Sequence, residues 1–260
     1  MDELTAAPRY TRVTHTCRVV DVMPLNTATV KVELQSSLAL HYHAGQYLAL
    51  ELDVNGDGKT HSLFYSITNA FNPEQPQRLE LFIQNSSEFS EKIITRLLEL
   101  SQVNAEVTVN LPMGQAYLQT GLDATHVLIA AGSGISKIKC IAEEILKQKP
   151  DADISIYWSN KNIGDFYLLE LFQAWRSQHD KLRFTPILET DEVAWLGRSG
   201  YIYKVIDDDF EQLEATKLYL CGSPQMVYGT IDKLKHLGLQ EANCYSDAFE
   251  FAPRDQQEAS

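Results

Sequence analysis

The chain has 260 residues, 44% of them apolar, and sets 22 basic against 35 acidic side chains for a formal net charge of −13. That length holds one large domain or two compact ones, each able to bury its own core, and excludes a disulfide-built mini-protein. With a pI near 4.9 the surface lacks the positive charge that a sequence-independent nucleic-acid binder uses to displace phosphate counterions, so no nucleic-acid partner is expected.

Up to about residue 120 the chain alternates apolar and polar residues in short runs: 17–23, 29–34, 47–52, 79–83 and 106–111. Alternation with period two marks half-buried strands. Between the last two, Ser90-Glu91-Lys-Ile-Ile-Thr-Arg-Leu-Leu-Glu-Leu has apolar residues at helical spacing behind a serine, which predicts a helix starting at Ser90. Five or six strands interrupted by one helix fit a small antiparallel barrel. After about residue 121 strands and helices alternate. The sequence predicts strands at 126–131, 154–158, 182–188 and 217–221, and helices at 136–149, 166–177, after Tyr201 and at 224–237. That order implies a parallel sheet covered on both faces. The reading is therefore a two-domain β plus α/β chain, an N-terminal six-stranded antiparallel β-barrel over 9–120 followed by a Rossmann-like parallel α/β domain over 121–252. The ends, 1–8 and 253–260, are expected to fray.

No apolar run approaches the roughly 20 residues that cross a bilayer. The start, Met1-Asp-Glu-Leu-Thr, has neither the basic residues nor the apolar centre of a secretory signal, which predicts a cytoplasmic protein without a membrane partner. Cys17, Cys140, Cys221 and Cys244 are widely spaced and form no metal-type pair, so reduced thiols and no metal are expected.

The most informative segment is Val127-Leu-Ile-Ala-Ala-Gly132-Ser133-Gly134-Ile135-Ser136, a strand, a glycine turn and a helix start. Glycines let the backbone approach a ligand, and a helix N-terminus offers N–H groups to an anion, so the segment reads as a pyrophosphate cradle. Read alone, it also fits, less well, a βα turn without a ligand. Lys137 stands where a Gly-x-Gly-x-x-Gly fingerprint has its third glycine, and Ser159-Asn160-Lys161 ends the next strand without an acidic residue for a ribose hydroxyl. A second strand end, Tyr219-Leu-Cys221-Gly222-Ser-Pro-Gln-Met226, falls on the same side of a parallel sheet. In the barrel half, Tyr47 and Tyr65 suit stacking on a planar ring and Ser66 suits a ring nitrogen, although aromatic residues in strands also serve as core. Asp53-Val-Asn55-Gly-Asp57-Gly58 imitates the start of a calcium loop, but its twelfth position is Phe64, and it reads as a hairpin turn.

Taken in order, Gly45-Gln46-Tyr47, Tyr65-Ser66, Leu111-Pro112-Met-Gly114, Ala131-Gly132-Ser133-Gly134-Ile135, Cys221-Gly222-Ser-Pro-Gln-Met226 and Asp247-Ala-Phe249-Glu-Phe251 resemble the ferredoxin-NADP⁺ reductase superfamily, and most of all its bacterial NAD(P)H:flavin oxidoreductase branch. The resemblance implies a flavin-binding barrel followed by an NAD(P)H-binding α/β domain. It implies that Gln46, Tyr47, Phe64, Tyr65, Ser66, Ile67 and Gly114 surround the flavin, with Tyr65 against the isoalloxazine and Ser66 near N5. Gly132, Ser133, Gly134, Ile135 and Ser136 would hold the pyrophosphate, with Lys161, Cys221, Gly222 and Met226 along the nucleotide. Phe249 and Phe251 would approach the flavin from the C-terminal end, and Ser66, Cys221 and Asp247 are the implied catalytic residues, Asp247 as a proton or hydrogen-bond partner. For Asp247, Phe249 and Phe251, a surface carboxylate and terminal packing are the competing reading.

One position departs from the family. The usual arginine two residues before the aromatic, which grips flavin phosphate, is Leu63 here. A neutral residue cannot make the charge-assisted hydrogen bond, worth roughly 1.5 to 3 kcal/mol, so loose flavin binding is expected unless Lys59 or His61 substitutes. The implied function is an NAD(P)H-dependent flavin reductase that passes hydride from NADPH or NADH to N5 of riboflavin, FMN or FAD and releases reduced flavin, which a monooxygenase would consume. Two alternatives stay open: a flavoprotein passing electrons to a separate acceptor protein, and a non-catalytic nucleotide-sensing or docking module. No plant-type ferredoxin cysteine spacing is present, so no [2Fe–2S] cluster of its own is expected.

Overall fold

The structure, a computed structural model, describes residues 10–254. Of the ends expected to fray, residues 1–8 and 255–260 lie outside the described residues, whereas Arg254 is tied down by a two-pronged ion pair to Asp232 at 2.8 and 2.6 Å. The chain divides into two compact units, one reaching to Thr120 and including Lys139–Glu144, the other made of Gly121–Ile138 and the chain from Ile145 onward.

The first unit contains β1 (Val13–Pro24), β2 (Thr29–Ser36), β3 (Tyr47–Leu52), β4 (His61–Ser66), β5 (Arg78–Gln84), α1 (Glu88–Gln102) and β6 (Glu106–Met113). Its six strands form one antiparallel sheet in the order β4-β3-β6-β1-β2-β5. The sheet curls so that its two edge strands approach, and just past β4 the Thr68 N–H donates to the Glu80 carbonyl of β5 at 3.0 Å. Inward residues such as Val19, Leu34, Leu50, Leu81 and Val109 fill the interior, as the period-two pattern requires. Helix α1 adds Ile93, Ile94 and Leu97 to this core. Its cap is Ser87, not Ser90: the Ser87 side chain accepts from Ser90 N at 3.1 Å, and the Ser90 hydroxyl accepts from Ser87 N at 2.8 Å. The cap thus lies three residues before the expected serine, in a capping box with serine in place of the usual Glu. The turn between β3 and β4 is the expected hairpin, with both Asp53 carboxylate oxygens accepting backbone N–H groups of Asp57 and Gly58.

The second unit contains β7 (His126–Ala131), α2 (Ile135–Gln148), β8 (Ile154–Asn160), α3 (Leu169–Gln178), β9 (Leu182–Leu188), β10 (Arg198–Ser199), α4 (Ile202–Asp209), β11 (Lys217–Cys221), α5 (Pro224–Leu234), β12 (Cys244–Tyr245) and α6 (Ala248–Phe251). All six strands pair in parallel, in the order β10-β9-β8-β7-β11-β12. β8 is buried along its whole length, its polar Ser155, Ser159 and Asn160 included, as a central strand of a sheet covered on both faces is. Helices α4 and α5 close one face over Val127, Ile129, Leu218 and Leu220, and α3 covers β9 through the stacked pair Phe172 and Phe184. The two-residue strands β10 and β12 and the short α6 carry too little periodicity to be seen in the sequence. The chain moves outward from β7 through β8, β9 and β10, then returns to lay β11 on the other side of β7. That reversal between β7 and β11 is where open α/β sheets form a crevice beyond the strand ends.

Candidate functional site

In the second unit, the segments leaving β7 and β11 lie at that reversal. After β7 the chain makes one 3₁₀ turn, Gly132–Gly134, and enters α2 with no side-chain cap. Gly132 sits in the left-handed region at φ +54°, where glycine alone is unstrained. Gly134 meets the end of β11 so closely that a Cβ there would collide with the Cys221 carbonyl oxygen and lie 2.8 Å from its carbonyl carbon. Trp158, fully buried in β8, donates its ring N–H to the Gly132 carbonyl at 2.9 Å and fixes the turn from the other side. The turn is thereby held on a rigid support, with Ser133 exposed at its apex and the start of α2 directly behind it. The next helix differs: α5 is capped by the Ser223 side chain, which accepts from Met226 N at 3.3 Å, and Pro224 opens its first turn.

Around this turn, Ile135 and Ser136 are buried, and burial makes the Tyr167 hydroxyl less acidic. Met226 packs over Gly222. Cys221 is half-buried, and burial pushes its thiol up to about 11, so it is a neutral thiol and not a nucleophilic thiolate. Lys161 is exposed on the loop after β8, beside Asn162, whose amide donates to Asp165 at 2.8 Å.

Asp247 is engaged by a residue that sequence reasoning left unassigned. Lys137, fully buried, donates to both Asp247 carboxylate oxygens at 2.8 Å. Position 137 shares a helix face with Ile141 one turn on, and that spacing was the available signal that the lysine points inward. Phe249 packs against Tyr228 at 5.6 Å between ring centres, whereas Phe251 is 65% exposed.

In the first unit, β4 is an edge strand whose residues split between two faces. Leu63 and Tyr65 pack against the barrel core, and burial pushes the Tyr65 hydroxyl up to about 12. Phe64 faces away, is 56% exposed, and meets the Tyr47 ring edge-on at 6.2 Å. Ser66 pairs with Tyr47 across the ladder, and its hydroxyl makes no hydrogen bond to another described residue. Ile67 is buried. The Gln46 side chain holds the loops together: its carbonyl accepts from His43 N at 2.8 Å and its amide donates to the Gly114 carbonyl at 3.0 Å. Gln46 therefore shapes the loop at Gly114, itself at φ +91°, with one of its two amide N–H groups.

These side chains suit a flavin ring, and the position of the usual phosphate-gripping arginine is apolar. An exposed aromatic, a half-buried tyrosine and a hydroxyl without an internal partner suit a planar heterocycle with ring nitrogens. At the usual arginine position stands an apolar side chain turned to the core. Lys59 is exposed on the preceding turn, and His61 lies edge-on to Phe89 at 5.3 Å; neither forms an anion cradle.

A cavity of about 660 Å³ in the second unit lies elsewhere, at the outer edge of β9 among Arg176, Arg183, Arg198 and Tyr157. It shares no residue with the β7 and β11 ends. Two of its arginines are already matched, Arg183 with Asp153 and Arg198 with Asp208 and Asp209.

Residues 128–231 match the family model for the oxidoreductase NAD-binding domain. Apart from Lys139–Glu144, that match lies in the second unit. Over 85% of its length the chain is 30% identical to protein RfbI of Salmonella typhimurium, spanning 63% of that protein. It is 27% identical to a probable flavin reductase of Photobacterium leiognathi, covering 90% of this chain and 98% of that one. Among solved structures, a ferredoxin reductase of carbazole 1,9a-dioxygenase superposes with a TM-score of 0.76 at 22% identity, over 93% of this chain and 71% of that one. The two-unit architecture is thus that of the ferredoxin reductases. Among the described residues, no helix is long and apolar enough to cross a membrane.

Proposed function

We propose that the chain is an NAD(P)H:flavin oxidoreductase, its first unit receiving the flavin and its second the nicotinamide nucleotide. When bound, the two cofactors supply the hydride donor and acceptor; the protein supplies binding, orientation and exclusion of water. The Gly132–Gly134 turn and the start of α2 bind the pyrophosphate. Cys221 and Gly222, locked to that turn through Gly134, form the floor beneath the nicotinamide, and the neutral thiol of Cys221 adds no charge there. Phe64 and Ser66, on the outward face of β4, hold the flavin ring, with the Ser66 hydroxyl as the hydrogen-bonding group toward it and Tyr65 bracing the strand from the core side.

The observation that carries the flavin-reductase reading is Leu63 packed into the barrel core. A site that recognises the ring and leaves the phosphate ungripped binds riboflavin and FMN alike and lets both dissociate, which suits flavin as a substrate. The similarity to a flavin reductase along 98% of that protein's length supports the same reading. Similarity to a ferredoxin reductase supports the other enzyme reading, in which a resident flavin passes electrons to a protein acceptor such as a monooxygenase component. The visible spectrum of the purified, gel-filtered protein separates the two: a colourless protein that oxidises NADH or NADPH only when flavin is added is a flavin reductase, and a yellow protein inactive toward free flavin is an electron-transfer component. A colourless protein inert with every flavin would leave only the sensing or docking module.

A further inference from the structure

Lys137 is fully buried, and both Asp247 oxygens accept from its ammonium at 2.8 Å while the Asp247 side chain keeps 17% of its surface exposed. Replacing a buried ion pair by well-packed apolar residues is often neutral or stabilising, so stability alone does not account for the pair; breaking it from one side leaves an uncompensated charge. What the pair does supply is a fixed place. Asp247 occupies the cap position of α6, where aspartate ordinarily accepts a helix N–H, yet it makes no such bond. Ser246 accepts from Ala248 N instead, at 3.3 Å. The carboxylate is turned away from its own helix and toward α2, three residues beyond the glycine turn.

A second clamp holds the far end of the same segment. Arg254 lies 4.1 Å over the Tyr228 ring and pairs with Asp232, while the Tyr228 hydroxyl donates to the Ala252 carbonyl at 2.8 Å. Between the clamps Phe249 is packed and Phe251 is presented to the outside.

We propose that Lys137 is a positioning residue of the nucleotide site: through Asp247 it sets where the C-terminal turn, residues 246–252, stands against the Gly132–Gly134 turn. The functional part of this rests on the flavin-reductase reading. Lys137 touches no substrate, since it has no exposed surface; it acts by holding Asp247 beside Cys221, with both charges close enough to bear on the thiol. The nucleotide is anchored by the glycine turn, so loosening the C-terminal turn disturbs the reacting geometry more than the affinity. Misplacement by about 1 Å costs on the order of 100-fold in rate.

The test compares the full chain with Lys137→Met and with the double variant Lys137→Met/Asp247→Leu. Amide hydrogen exchange of residues 246–252, the melting temperature, and kcat and KM for NADH and NADPH with added riboflavin are measured for each. In Lys137→Met, exchange of the C-terminal turn rises at least about 10-fold, and kcat falls by about 10- to 100-fold while KM stays within about threefold. The apolar double variant regains the wild-type melting temperature and stays low in kcat. Recovery of both stability and kcat in the double variant, or wild-type exchange in Lys137→Met, overturns the proposal. If the wild-type chain itself shows no flavin-dependent oxidation, the flavin-reductase reading fails, and the exchange result still decides whether Lys137 positions the turn.

Discussion

Gly134 and Cys221 are in backbone contact: a methyl group on residue 134 would collide with the Cys221 carbonyl oxygen and lie 2.8 Å from its carbonyl carbon. The clash is with main chain at the end of a central strand, where no side chain can swing aside. Gly134→Ala must therefore separate the segments leaving β7 and β11. We expect an overpacking cost of about 1 to 3 kcal/mol and a fall of at least about 10-fold in affinity for NADH or NADPH, while flavin affinity, set in the other unit, stays unchanged. Titration of nucleotide and of riboflavin against the variant checks this. An equal loss of both affinities would mean general unfolding and not a nucleotide-site defect.

Ser66 has a hydroxyl with no internal partner beside an exposed aromatic. Ser66→Ala removes one hydrogen bond to the flavin ring and leaves the fold untouched. Turnover with riboflavin should fall about 10-fold, the worth of one hydrogen bond of about 1.4 kcal/mol, with the melting temperature unchanged. An unaltered rate removes Ser66 from the mechanism.

Leu63 faces the barrel core at the edge strand, and a longer side chain there reaches water past the strand edge. Leu63→Arg should bring a guanidinium to the flavin phosphate and tighten FMN relative to riboflavin by about 10-fold or more, from the roughly 1.5 to 3 kcal/mol of a charge-assisted hydrogen bond. Lost packing of the leucine should lower stability at the same time. The ratio of the two dissociation constants is the readout, and a ratio equal to that of the wild type contradicts the account of Leu63.

His126, buried at the start of β7 and stacked on Tyr219, is lowered to about 4 from its ordinary value of 6.5, mainly by burial. The folded state thus resists a proton that the unfolded chain accepts. The stability this gives is complete above pH 6.5 and is lost as pH falls toward 4. Between pH 7 and pH 5 it should amount to about 1 to 2 kcal/mol. Urea unfolding at the two pH values, for the wild type and for His126→Leu, should show a smaller pH difference in the variant.

Much of the architecture was legible because each half of the chain has one dominant period. β3 and β9 begin and end where the sequence pattern places them, whereas the reversal of strand order between β7 and β11 appears only in the fold. Features that escaped depend on groups brought together from far along the chain. Ser87 caps α1 because its partner at the third position is another serine, a box whose usual acidic member is missing. Gln46 spends one amide hydrogen on the carbonyl of Gly114, a residue 68 positions away. Lys137 joins Asp247 across 110 positions, and no local pattern signals which carboxylate a buried lysine will find.

The most direct test of the central claim is a steady-state comparison of NADH and NADPH oxidation with no flavin, with riboflavin and with FMN. The account predicts no turnover without added flavin and values of kcat/KM for riboflavin and FMN that agree within about threefold, because the ring is recognised and the phosphate is not. A strong preference for FMN, or oxidation that added flavin does not stimulate, would contradict it.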